Sequence, residues 1–182
     1  GRKKAETRAE EEAQQTELAV PKVALEKDAY PEVNAFISKY YTALADGDAT
    51  TIKTLVRHMD ETEEATITVN GKYIDSVPVI EVYTKPGPAE DSYLAYVYNK
   101  VRFVDCDADV PGMQSFYICK DDAGGYYSNN GTITDEEKQY IQTIVLQQDV
   151  KDLNNRAATE YNELLDADTE LNEFLKTMNK KI

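Results

Sequence analysis

The sequence predicts an α+β fold: N-terminal helices packed on a strongly curved, mainly antiparallel sheet, forming a cone, with a helical extension at the C-terminus. Three observations carry this. An apolar stripe of helical period fills residues 33–44. Runs of β-branched and aromatic residues, broken by Gly, Pro and Asp turns, dominate residues 65–130. Helical stripes then return from residue 133 to the end.

Residues 1–29 read as a charged stalk or linker, helical or disordered. After Gly1 the first twenty lack Gly, Arg8 and Glu12 stand at i,i+4, and alanines favour helix, yet no apolar stripe exists to bury. Pro21 and Pro31 bracket a short linker, and Pro31 suits the first turn of a helix. Val33, Phe36, Ile37, Tyr40, Tyr41 and Leu44 then make one stripe. Asp46-Gly47-Asp48 stops this helix, and Asp48 can cap the next, whose buried side is Ile52, Leu55 and Val56.

Thr66-Ile67-Thr68-Val69 reads as a strand ending at the turn dipeptide Asn70-Gly71. Residues 79–84 form a second strand, closed by Lys85-Pro86-Gly87-Pro88. The longest strand covers residues 92–106. Ala95, Val97, Val101 and Phe103 share the face expected to meet the helices; Tyr96, Tyr98, Lys100 and Arg102 share a face expected to be partly wet. Residues 115–120 and 126–129 make a hairpin around residues 121–125. Thr134 to Glu137 has the T-x-x-E form of a capping box. Three stripes follow: Tyr140, Ile141, Ile144 and Val145; Leu153, Ala157, Tyr161, Leu164 and Leu165; Leu171, Phe174, Leu175 and Met178. The chain thus divides into a stalk over 1–29, an α+β domain over 30–132, and a helical extension over 133–182 packed on that domain.

Composition bounds the function. A chain of 182 residues with 41% hydrophobic residues has enough apolar content for one real core. No run approaches the ~18 apolar residues of a membrane span. A net charge of -14 argues against nucleic acid, whose partners gather Lys and Arg. The chain begins with Gly1, so a processed or truncated product is expected, from which a signal or anchor segment has been removed.

No catalytic signature stands out. His58 is the only histidine, in an Arg57-His58-Met59-Asp60 context at a helix end, and is read as non-catalytic. Asp105, Asp107 and Asp109 have D-x-D-x-D spacing, but Val110 and Phe116 occupy the Gly and Glu positions of a calcium loop, so no metal is expected. Cys106 and Cys119 are read as free thiols, with a disulfide left open, and no cofactor is expected. Asn130-Gly131-Thr132 reads as a turn. The 13 tyrosines, against 4 Phe and no Trp, supply amphipathic rings suited to recognition. Tyr40, Tyr96, Tyr98 and Tyr117, with Arg102, are the residues proposed to bind a ligand, although packing accounts for most tyrosines.

Two segments, VNAFISKYYTALADGDATTIKTLV and EVYTKPGPAEDSYLAYVYNKVRFVDCDADVPGMQSFYICKDDAGGYYSNNG, resemble the nuclear transport factor 2-like superfamily, a cystatin-like α+β cone. Over about residues 30–178, with TDEEKQYI and VKDLNNRAATEYNELL included, the chain is similar to uncharacterised proteins of gut Firmicutes. Those have an N-terminal membrane anchor, a charged stalk and this domain outside the cell. The resemblance implies an extracytoplasmic, cell-surface location, with membrane contact only through an anchor absent from this chain. It implies a non-catalytic module that binds a small ligand, a wall component or a protein partner. The superfamily also includes dehydratases and isomerases that place His, Asp or Tyr inside the cone, so an enzyme of that kind is the alternative. A structural or dimerising domain, with a homodimer left open, is the third. None of the superfamily's catalytic residues carries over.

Overall fold

The computed structural model describes residues 18–181, the side chains of 179–181 excepted. The charged segment read over residues 1–20 therefore falls almost wholly outside the described residues. A short strand β1 (Glu26–Lys27) precedes three helices, α1 (Pro31–Asp46), α2 (Ala49–Leu55) and α3 (Glu61–Gly71). Four longer connections of strand follow as β2 (Ile74–Pro86), β3 (Tyr93–Phe103), β4 (Asp109–Lys120) and β5 (Tyr126–Ser128). Helices α4 (Asp135–Val145), α5 (Gln148–Ala167) and α6 (Thr169–Lys181) complete the described chain.

The first two helices form for the reasons their sequence supplies. Pro31 occupies the first turn of α1, where its missing N–H breaks no bond. Gly47 ends α1 in the left-handed conformation at φ 65°, which a glycine adopts without strain. Asp48 caps α2 by accepting from the Thr51 N–H at 3.0 Å.

Residues 66–69 are not a strand: they lie inside α3. The β-branched run is overridden by its start, where Asp60 accepts from the Glu63 N–H at 2.8 Å. Glu61, Glu63 and Glu64 then sit at the positive end of the helix dipole. Gly71 serves close packing rather than a hairpin turn, because a Cβ there would stand 2.3 Å from Gly47 Cα. No residue of α3 is fully buried, so its cap matters more than its packing. Asp60→Ala is expected to destabilise α3 by about 1 kcal/mol. Faster amide exchange confined to residues 61–71 would show it.

The sheet has the order β1-β2-β3-β4-β5, all neighbours antiparallel, and is curled but not closed. Pairing runs Val82↔Val97↔Gln114 across its centre. On one face, Val33, Phe36, Ile37 and Tyr41 of α1 pack with Val82, Ala95, Val97, Phe116 and Ile118. On the other, Leu94, Tyr96, Tyr98, Tyr117 and Cys119 pack under Tyr140 and Ile144 of α4 and Val150, Leu153 and Ala157 of α5. The sheet is thus covered on both faces. Tyr96 and Tyr98, expected to be partly wet, are 2% and 1% exposed because the C-terminal helices close over them. Phe103 likewise departs from the expected contact with α1: it packs with Val110 against Leu171, Phe174 and Leu175 of α6.

Helix α4 opens with the full capping box. Glu137 N donates to Thr134 Oγ1 and Thr134 N donates to Glu137 Oε1, each at 3.1 Å. The described residues ahead of α1 lie against the domain. Val20 and Leu25 pack on the α5-side cluster, and β1 pairs with Tyr83 and Thr84 of β2.

Candidate functional site

The strand positions that face α1 are mainly apolar, and Asn99 and Gln114 break that pattern beneath the helix's tyrosines. Asn99 of β3 is buried and Gln114 of β4 is half-buried on that face, two strand positions apart across the register. Both are engaged by consecutive tyrosines of α1. Asn99 Nδ2 donates to the Tyr41 hydroxyl at 3.1 Å. Tyr41 donates to Gln114 Oε1 at 3.0 Å, and Gln114 Nε2 donates to the Tyr40 hydroxyl at 3.1 Å. Burial drives the Tyr41 phenol far above its ordinary pKa, so it stays protonated as a donor. The two rings are held edge-on against Phe116, with centroids 5.0 Å away for Tyr40 and 6.4 Å for Tyr41.

Tyr40 is also the wall of a cavity of about 370 Å³. Its other sides come from Ile52 of α2, His58 and Met59 of the following loop, and Glu63 and Ile67 of α3. Asn130 fixes the loop: its Oδ1 accepts from His58 N at 2.8 Å and its Nδ2 donates to His58 O at 2.7 Å. The His58 side chain is exposed, at the cavity's rim, and makes no ion pair among the described residues. The space is therefore mainly apolar, with a phenol held by an internal relay on one wall and an imidazole at its edge.

Of the five residues proposed from the sequence to bind a ligand, only Tyr40 lies here. Tyr96, Tyr98, Arg102 and Tyr117 stand on the opposite face of the sheet, and each is placed differently. Tyr98 donates to Glu160 and lies under the Arg156 guanidinium, 4.0 Å from its ring; burial first, then the Glu160 bond, push its pKa up to about 12. Tyr117 donates to Glu137 at 2.7 Å. Arg102 pairs with Asp109 at 2.7 Å, which also occupies one of the three D-x-D-x-D carboxylates. The Tyr96 hydroxyl is enclosed without a partner among the described residues. The thiols are apart and free: Cys119 is buried beneath α4 and α5, and Cys106 lies in the cluster under α6.

No known family model, curated protein or solved structure matches this chain.

The site therefore rests on its own geometry. A second opening, of about 680 Å³, lies between the turn after β3 and the start of α6, with Asp105, Asp107, Asp168 and Glu170 around Tyr73 and Phe174. One of its carboxylates is engaged as a cap, Asp168 accepting from Leu171 N at 3.0 Å. Among the described residues no group of His, Cys, Asp and Glu is arranged to hold a metal ion. Also among them, no helix is long and apolar enough to cross a membrane.

Proposed function

We propose that the protein is a non-catalytic binding module that takes a small, mostly apolar ligand carrying one polar group, in the cavity at Tyr40. The observation that supports this is the pairing of an apolar space of about 370 Å³ with a phenol anchored by its own relay. Ligand sites have that volume and that division between apolar walls and few placed polar groups. On the resemblance and the charged first twenty residues, the module is placed outside the cell behind an N-terminal anchor; protease accessibility on intact cells carrying the full-length protein tests that placement.

Titration with acetophenone, followed by amide chemical shifts, tests the site. Shifts are expected to concentrate at residues 40, 52–59 and 63–67, and to vanish in Ile67→Phe, which fills the space from α3. Shifts confined to other parts of the chain would overturn the reading. One observation favours the enzyme alternative: His58 lines the same cavity as Tyr40. Turnover of a small carbonyl compound, lost in a folded His58→Ala variant, would establish that alternative instead.

A further inference from the structure

We propose that Asn99, which does not line the cavity, fixes the hydrogen-bond polarity that Tyr40 shows to a ligand, so that the cavity selects molecules bearing an acceptor oxygen. This rests on the reading above and names the ligand's polar group: a carbonyl, carboxylate or ether oxygen in preference to an N–H or O–H donor.

The direction follows from counting hydrogens. An amide nitrogen only donates, an amide oxygen only accepts, and a hydroxyl has a single hydrogen to give. Asn99 Nδ2 donates to Tyr41, so the one Tyr41 hydrogen is free to go to Gln114 Oε1. With its oxygen facing Tyr41, Gln114 must turn its nitrogen to Tyr40. Tyr40 therefore accepts from inside the fold, and its own hydrogen has no acceptor among the described residues. The chain cannot be reversed by rotating the Asn99 amide. Its Nδ2 also lies 3.5 Å from Val97 O, and rotation would bring two oxygens together there. A ligand acceptor completes the relay. A ligand donor can bond only the second lone pair of the Tyr40 oxygen and leaves the Tyr40 hydrogen without an acceptor from protein or ligand, which is the less favourable outcome.

Acetophenone, which only accepts, and indole, which only donates, are matched in size and serve as probes. Wild-type protein is expected to bind acetophenone about tenfold more tightly, the worth of one hydrogen bond. Asn99→Asp puts an acceptor at the head of the relay, turns Gln114 around and makes Tyr40 accept from the cavity, so the preference should invert to indole. Tyr40→Phe should erase the preference while both probes still shift the cavity amides, and this variant decides the matter if Asn99→Asp does not fold. Equal binding of both probes by the wild type overturns this inference and leaves the cavity as a binding site. An unchanged preference in Tyr40→Phe does the same. If neither probe shifts the cavity amides, the binding reading falls and this inference with it.

Discussion

Phe36→Ala is expected to destabilise the protein by about 3–5 kcal/mol, the usual loss for emptying a large aromatic site in a packed core. Phe36 is 7% exposed on the inward side of α1. It belongs to the cluster in which α1 meets the strand centres Val82, Val97 and Phe116. These contacts join residues far apart in sequence, so their loss should appear as a lower denaturant midpoint for the whole domain. Phe36→Leu, which keeps most of the volume, should lose less than about 1.5 kcal/mol. A loss under ~1 kcal/mol for the alanine variant would mean that α1 is not seated on the sheet. The same cluster holds Tyr41 and flanks Tyr40, so Phe36→Ala should also loosen the ligand relay, and Tyr40 with it.

Much of this arrangement is legible in the sequence where the signal is local. The stripe of α1, the Gly47 stop, the Asp48 cap and the Thr134–Glu137 capping box are decided by residues within a few positions of one another, and each forms as its sequence suggests. At residues 66–71 the strand and turn signals are outweighed by a local helix start. Asp60 and three glutamates start a helix, and the Asn70-Gly71 signal arises from a glycine required by its contact with Gly47, which lies twenty-four positions earlier. The burial of Tyr96 and Tyr98 was hidden for a different reason. Tyrosine is amphipathic, so alternating Tyr, Lys and Arg on β3 resembles a wet face until α4 and α5 cover it. The candidate site left one sign in the sequence. Asn99 falls in line with Ala95, Val97 and Val101, a polar residue in an apolar row, and such a residue has to be hydrogen-bonded inside the fold. Its partners, Tyr41 and Gln114, come from other elements and cannot be read from the strand alone.

Asp149→Ala is expected to lower stability by about 2–3 kcal/mol and to release the segment ahead of α1. Lys85 is 4% exposed, and its ammonium is met by Asp149 Oδ1 at 2.8 Å and by Gln147 Oε1 at 2.7 Å. Deleting the carboxylate leaves that charge enclosed with only an amide oxygen. Breaking a fully buried pair costs about 3–5 kcal/mol; the Asp149 side chain is 37% exposed, so water can recover part of this. The other carboxylate oxygen accepts from Leu25 N at 3.0 Å, while Gln147 Nε2 donates to Pro21 O at 3.2 Å. The same variant should therefore raise amide exchange over residues 22–27. Replacing both charges, with Lys85→Met beside Asp149→Asn, should destabilise less than Asp149→Ala alone, because no unpaired charge remains. Acid should mimic the single variant. Burial by itself would raise the Asp149 carboxyl, but the bonds from Lys85 and Leu25 outweigh it and hold the group below its ordinary 3.8. A depressed carboxyl contributes stability that is present in full above its unfolded value and is lost as pH falls through its folded one. Stability should thus fall below about pH 4 in the wild type, with a shallower slope in Asp149→Asn. Parallel pH curves for the two proteins, or unchanged exchange at Leu25 in Asp149→Ala, would show that the clasp does not hold the segment.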